Sequence, residues 1–136
     1  MEPVNEKGSR FLLDTHVLLW WLFDDPKLSG MAHNVIQAPD NTILVSSVSG
    51  WEIATKYRLG KLPHAGEVAQ NLPSLLRQSR MDVLPITMEH ALAAGVLPGP
   101  HRDPFDRMLI AQGQIEGLPI VTSDPVFKQY PVELVW

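Results

Sequence analysis

Five short apolar runs, at residues 10–14, 42–46, 82–86, 119–121 and 132–135, alternate along the chain with stretches of helical periodicity. The second run, Thr-Ile-Leu-Val-Ser, is β-branched and apolar enough for a strand buried on both faces. Between the runs, residues 15–23, 29–38, 48–59, 68–79, 87–96 and 104–116 read as helices, and residues 124–129 as a further helical turn. Short strands separated by helices make an α/β fold. Parallel strands need helical crossovers, which bring the C-terminal ends of all the strands to one edge of the sheet. Open α/β sheets place their sites on that edge. Punctuation agrees with this frame. Gly60 and Gly117 read as helix C-terminal caps. Pro73 disturbs the register of its helix, and Pro85 assigns the third strand to an edge.

The 136 residues suffice for one domain, assigned to residues 10–136, after a polar stretch at 1–9 that reads as a flexible tail. The chain has no cysteine, which removes disulfides, thiolate nucleophiles and Cys-based zinc sites. The longest apolar run, 17–23, falls far short of the roughly 20 residues of a membrane span. Residues 1–9 lack the apolar core of a signal peptide. A cytoplasmic protein is the expectation.

Acids collect where the strands end. Asp14 closes the first run, Glu52 falls on the first turn of the helix after the second, and Asp124 follows the fourth. Those three share one edge of a parallel sheet. Asp103 and Asp106 flank the start of the helix at 104–116, and Asp106 joins the others only if that helix starts at the same edge. Each acid also has a purely structural reading. Ser49-Gly-Trp-Glu52 fits a capping box, Asp103-Pro104 and Asp124-Pro125 fit an N-cap followed by proline, and Asp14 can cap the helix after it. Capping, however, does not require acids, and converging carboxylates raise one another's pKa unless a cation lies among them. All-oxygen ligands select Mg²⁺ or Mn²⁺ over zinc or copper, which suits phosphoryl chemistry. Net charge is compatible with that. The formal total is −4, yet setting those five acids aside leaves ten acids against eleven bases.

Four segments, LLDTHVLLW at 12–20, SSVSGWEIA at 46–54, HRDPFDRMLIAQ at 101–112 and VTSD at 121–124, together resemble PIN-domain ribonucleases, in particular the VapC toxins of bacterial toxin–antitoxin pairs. The motifs stand in family order and the resemblance covers nearly all of residues 10–136. It implies a three-layer α/β/α sandwich around a parallel sheet of about five strands. It also implies an endoribonuclease dependent on Mg²⁺ or Mn²⁺, acting on tRNA or ribosomal RNA, held by a VapB-like antitoxin and assembled as a homodimer. By position, Asp14, Glu52, Asp106 and Asp124 match the family's catalytic acids. Asp14, Asp106 and Asp124 would ligate the metal, Asp103 is an accessory acid, and Thr122 matches a hydroxyl that orders the site around the first acid.

Lys56, Arg58, Lys61, Arg102 and Arg107 lie near the motifs and are candidates to hold RNA phosphates, against the alternative of a solvated helix face. His16 and His101 adjoin proposed site acids, where hydrogen bonding to those acids or a solvated position is favoured over metal ligation. His33, His64 and His90 read as surface residues. Trp20, Trp21 and Trp51 sit in apolar helical runs, which assigns them to core or interface rather than to base stacking. The run 17–23 is a candidate face for a second copy or an antitoxin. Two rivals remain at this stage. A phosphatase or phosphoryl-transfer domain would use Asp14 as nucleophile, but His16 stands where the haloacid-dehalogenase-like pattern needs a second Asp. A non-catalytic α/β interaction module would need only capping acids.

Overall fold

In the computed structural model, which describes residues 8–136, the strands are β1 (Arg10–Leu13), β2 (Thr42–Ser46), β3 (Asp82–Leu84), β4 (Ile120–Val121) and β5 (Leu134–Val135). They form one sheet in the order β3-β2-β1-β4-β5, and every pairing is parallel. The helices are α1 (Thr15–Leu22), α2 (Gly30–Gln37), α3 (Ser47–Arg58), α4 (Gly66–Gln78), α5 (Met88–Val96) and α6 (Pro104–Glu116), with 3-10 turns at Pro63–Ala65 and Pro125–Gln129. Most of the polar start, residues 1–7, lies outside the described residues. Ser9 is already tied into the fold, its N–H donating to Asn41 Oδ1 at 3.2 Å and its carbonyl accepting from Thr42 N at 2.8 Å.

Because strand side chains alternate, neighbouring residues of the central strands face opposite layers. Leu13, Ile43, Val45 and Val121 pack with Val17, Leu18, Ile36, Ile53, Val68 and Leu76 on one side. Leu12, Leu44 and Ile120 pack with Val48, Leu109, Ile110, Phe127 and Tyr130 on the other. The result is three layers, with β1 buried at the centre. β3 is an edge strand, as Pro85 indicates. Its Val83 is exposed.

The helix ends follow their sequence signals. Ser29 and Thr87 cap α2 and α5 through their hydroxyls. At the end of α3, Gly60 takes φ +77°, Gly60 N donates to Tyr57 O and Lys61 N to Lys56 O, a Schellman closure. Gly117 ends α6 with φ +66°. α4 bends at Asn71 (φ −123°), two residues before Pro73, whose ring has no N–H and crowds the preceding turn.

Two expectations are corrected. The apolar run at 17–23 is not a free face. Val17, Leu18 and Leu19 are core, Trp20, Trp21 and Leu22 are half-buried, and only Phe23 is exposed. α5 turns His90 and Ala94 inward and leaves Met88, Leu92 and Val96 outside. His90, read as a surface residue, is fully buried. Its Nδ1 accepts from Thr87 N at 3.1 Å and its Nε2 pairs with Glu116 at 2.8 Å.

Candidate active site

From β1 the chain moves outward to β2 and β3, then crosses back to β4 and β5 on the opposite side. A parallel sheet opens a crevice at such a reversal, beyond the C-terminal ends of its strands. Asp14 directly follows β1 and Thr122 directly follows β4, so both stand at that crevice.

Asp14 occupies the N-cap position of α1, yet its side chain makes no capping bond. It is buried, and its Oδ2 accepts from Thr122 Oγ1 at 2.8 Å. Thr122 Oγ1 in turn accepts from Asp124 N at 3.0 Å, so one hydroxyl links the ends of β1 and β4. Burial raises the Asp14 carboxyl above its ordinary range. The Thr122 bond and His16 lower it, and the charges of Glu52 and Asp124 raise it again.

The capping box at Ser49–Glu52 does not form. Helix α3 begins at Ser47 and is capped by Ser46, whose hydroxyl accepts from Val48 N at 3.0 Å. Ser49 is used elsewhere, sharing a buried 2.8 Å hydrogen bond with Thr15. Glu52 thus lies on the second turn of α3 rather than the first, and it is buried. Its Oε2 accepts from Lys56 Nζ, one turn further along. Its Oε1 is buried with no hydrogen-bond partner among the described residues.

On α6 the two acids divide the work. Asp103 is the N-cap, its Oδ1 accepting from Phe105 N at 2.8 Å and Asp106 N at 3.2 Å. Asp106, on the first turn, caps nothing and pairs through Oδ2 with His101 Nε2 at 2.9 Å. Its carboxyl is pushed up to about 6, chiefly by burial. The His101 bond opposes that rise, and the charges of Asp103, Asp14 and Glu52 add to it. The charges of Asp14 and Glu52 both raise Asp106, and that of Glu52 raises Asp14, which places the end of β1 and the starts of α3 and α6 around one space. Lys56 reports the same field from the other side. Burial would lower its pKa, but the bond and charge of Glu52, with Asp103 and Asp106, outweigh it and raise the ammonium. Asp124 is exposed and caps the 3-10 turn, its Oδ1 accepting from Val126 N at 3.0 Å.

The five acids therefore separate by task. Asp103 and Asp124 do the capping that their Asp-Pro context announces. Asp14, Glu52 and Asp106 do none, and the non-catalytic reading leaves their burial without a purpose. Among the described residues no group of three or more His, Cys, Asp or Glu side chains is arranged to hold a metal ion. Glu52 and Asp106 are each turned to a neighbouring base. The donor set is nonetheless suited to a hard cation. It is all oxygen, it holds the unpartnered Glu52 Oε1, and its carboxylates repel one another in the way a divalent ion would relieve.

A family model for the PIN domain matches residues 11–133. The chain belongs to the PIN-domain family. It is 32% identical over 114 residues to Ribonuclease VapC22 of Mycobacterium tuberculosis, covering 83% of this chain and 85% of that protein. It is 40% identical over 73 residues to Ribonuclease VapC16 of the same organism, and there the match spans only half of that relative. The fold matches VapBC2 from Rickettsia felis bound to a promoter DNA fragment, with a TM-score of 0.66 at 20% identity, covering 92% of this chain and 96% of that one. VapBC-1 from nontypeable Haemophilus influenzae matches with a TM-score of 0.65 at 18% identity over the same shares of the two chains.

Around the acids of this PIN domain the bases play unequal parts. Arg107 is not available to phosphate. Its guanidinium donates to four carbonyls, those of Ala94 (3.1 Å), Gly95 (3.3 Å), Leu97 (2.6 Å) and His101 (2.9 Å). It fastens the end of α5 and the loop after it to α6, and so fixes the residue that pairs with Asp106. Lys56 is committed to Glu52. Arg58, Lys61 and Arg102 are exposed. Trp51, read as core or interface, does not lie in the core. It is 60% exposed, and its indole meets the Phe105 ring edge to face, 5.0 Å between centroids. The sequence carried a signal for Arg107 in the uncapped C-terminal end of α5, whose carbonyls need a donor. Phe105 had none.

Proposed function

We propose that this chain is the ribonuclease toxin of a toxin–antitoxin pair, hydrolysing RNA phosphodiester bonds at the crevice beyond β1 and β4. The observation that carries the reading is the set Asp14, Glu52 and Asp106. These are three acids at least partly buried, on three elements, that perform no capping: the charge of Glu52 raises Asp14, the charges of Asp14 and Glu52 raise Asp106, and Glu52 keeps an unpaired oxygen among the described residues. The family membership and the two ribonuclease relatives support it.

Asp14, Asp106 and Asp124 are the proposed ligands of a Mg²⁺ or Mn²⁺ ion, with Asp103 as an accessory acid. When bound, such an ion supplies positive charge against the phosphate and departing oxygen, and acidifies water. The chain's own residues do the rest. Thr122 holds the Asp14 carboxylate in one orientation, and His101 does the same for Asp106. Glu52 Oε1 is free to take a proton from the attacking water while Lys56 holds Oε2. Water forms a bond to phosphorus as the bond to the 3′ oxygen breaks, and that oxygen takes a proton from solvent, leaving a 5′-phosphate and a 3′-hydroxyl. Arg58 and Arg102 face solvent where flanking phosphates can be held.

The partners follow from the same reading. They are tRNA or ribosomal RNA as substrate, a VapB-like antitoxin as inhibitor, and a second copy of the chain. The outward stripe of α5, Met88, Leu92 and Val96 at 65–81% exposure, favours the second copy. No described helix is long and apolar enough to cross a membrane, and the proposed site of action is the cytoplasm. Incubation with bulk RNA and Mn²⁺, with and without chelator, tests the activity. Chelator-sensitive cleavage that is lost in Asp14→Asn is expected. Cleavage surviving in a clean Asp14→Asn preparation overturns it. Hydrolysis of p-nitrophenyl phosphate in place of RNA would mark a phosphatase.

A further inference from the structure

We propose that Trp51 and Phe105 form a stacking platform for an unpaired nucleobase next to the phosphate that is cut, an inference that rests on the ribonuclease reading. A large aromatic side chain left 60% exposed on a helix is unusual, and this one is held in place. The edge-to-face contact with Phe105 (interplanar angle 78°) fixes one side of the indole, and the remainder faces outward. A ring already fixed loses little entropy when a ligand stacks on it.

Position decides what that ligand is. Trp51 precedes Glu52 and Phe105 precedes Asp106, so both rings project from the same helical turns as two of the proposed catalytic acids. Lys56, which holds Glu52, also lies 6.0 Å from the Phe105 ring centroid. A strand of RNA whose phosphate lies at the acids therefore carries its next base past these rings. Beside them runs a groove of about 280 Å³ whose lining includes Val48, Trp51, Ile86 and Met108, with exposed Arg102 at its border. Apolar walls with a cation at the rim suit a flat base joined to an anionic backbone. A base free to leave its stack belongs to a single-stranded loop or end, so the platform selects unpaired RNA over duplex. A protein partner would cover the rings equally well, but it would not account for their placement directly beside the acids.

The test uses the full chain carrying Asp14→Asn, which leaves RNA intact, in Mg²⁺. Binding of labelled hexaadenylate RNA is compared with binding of an abasic ribose-phosphate hexamer of equal charge. The platform predicts a preference for hexaadenylate of about 5- to 100-fold. Trp51→Leu, apolar but unable to stack, should bring the ratio close to one, and Trp51→Phe should keep most of it. Circular dichroism confirms that both variants fold, which the exposure of Trp51 makes the expected result. An unchanged ratio in Trp51→Leu overturns the proposal. It is equally overturned if that variant keeps the ratio while light scattering shows an assembly falling apart, since the rings then serve a protein contact. If the ratio depends on Trp51 but the chain with Asp14 intact cleaves no RNA, the hydrolytic reading fails and the base platform stands.

Discussion

Replacing Asp106 with Asn should make the metal-free protein more stable while destroying the proposed activity. The carboxyl of Asp106 is pushed from 3.8 to about 6 by burial and by the charges of Asp103, Asp14 and Glu52. A folded-state pKa above the unfolded one means that the native chain binds the extra proton more tightly. Stability contributed by this group therefore falls as pH rises from about 4 to about 6, and the full penalty is present above that window. Two units correspond to about 3 kcal/mol at most, at ~1.4 kcal/mol per unit. Solvent screening of a carboxyl that is only partly buried reduces this to about 1–2 kcal/mol. Asparagine has nearly the same shape and keeps an acceptor for His101 Nε2, so packing is held constant. In chelator at pH 7.5 the variant should melt higher by roughly 3–8 °C. Near pH 4 the two proteins should melt together. Added Mg²⁺ should raise the melting point of the parent and leave the variant almost unmoved, because binding to the native state alone stabilises it. Thermal melts followed by circular dichroism over pH 4–8 measure all of this. A variant that melts lower at pH 7.5 in chelator, or a difference that does not change with pH, would refute the picture of acids forced together against their own repulsion.

Three further outcomes are expected. Thr122→Val removes the hydroxyl that orients Asp14 and should lower cleavage at least tenfold, with a stability loss of about 1–2 kcal/mol by chemical denaturation. Lys56→Met leaves buried Glu52 without its cation and should cost about 2 kcal/mol at pH 7.5, read by chemical denaturation. Arg107→Gln releases most of four carbonyls at the end of α5 and should expose the 97–102 loop to limited proteolysis while lowering cleavage through His101. Normal resistance and normal cleavage would show that the crown of carbonyl bonds holds nothing in place.

Most of the fold is written in the chain because its signals are local and agree with one another. The strand at Thr42–Ser46 is found to the residue, since no helical period competes with Thr-Ile-Leu-Val-Ser and a turn precedes it. Ser29, Thr87, Asp103 and Gly117 mark helix ends because each satisfies a backbone group that has no other partner. What could not be read is which apolar face the chain covers by itself. α5 carries Leu92 and Val96 as readily as a core helix would, but its inward positions go to His90 and Ala94. His90 is tolerated there only because Thr87, Gln112 and Glu116 meet its two ring nitrogens, a closure made by residues up to 26 positions away. Trp51 fails to be read for the same reason. Periodicity shows that a ring stands on a helix and says nothing of whether another element lies over it.

The acids make the sharper case. In sequence, Asp14, Asp103 and Asp124 each precede a helical segment, and all three fit an N-cap equally well. The fold separates them by what their oxygens touch. Asp103 and Asp124 accept from backbone N–H groups, which any of four short polar side chains could have done. Asp14 ignores the helix it precedes and accepts from the hydroxyl of Thr122, just past β4 and 108 residues away. Glu52 and Asp106 spend one oxygen each on Lys56 and His101, side chains on their own or the adjoining segment. A carboxylate that folding alone required would be replaceable by serine or asparagine at no electrostatic cost. These three carry burial and mutual repulsion, which marginal stability rarely tolerates without a compensating use. The proposed cation among them, and the anionic phosphate it would hold, would give that burial its use.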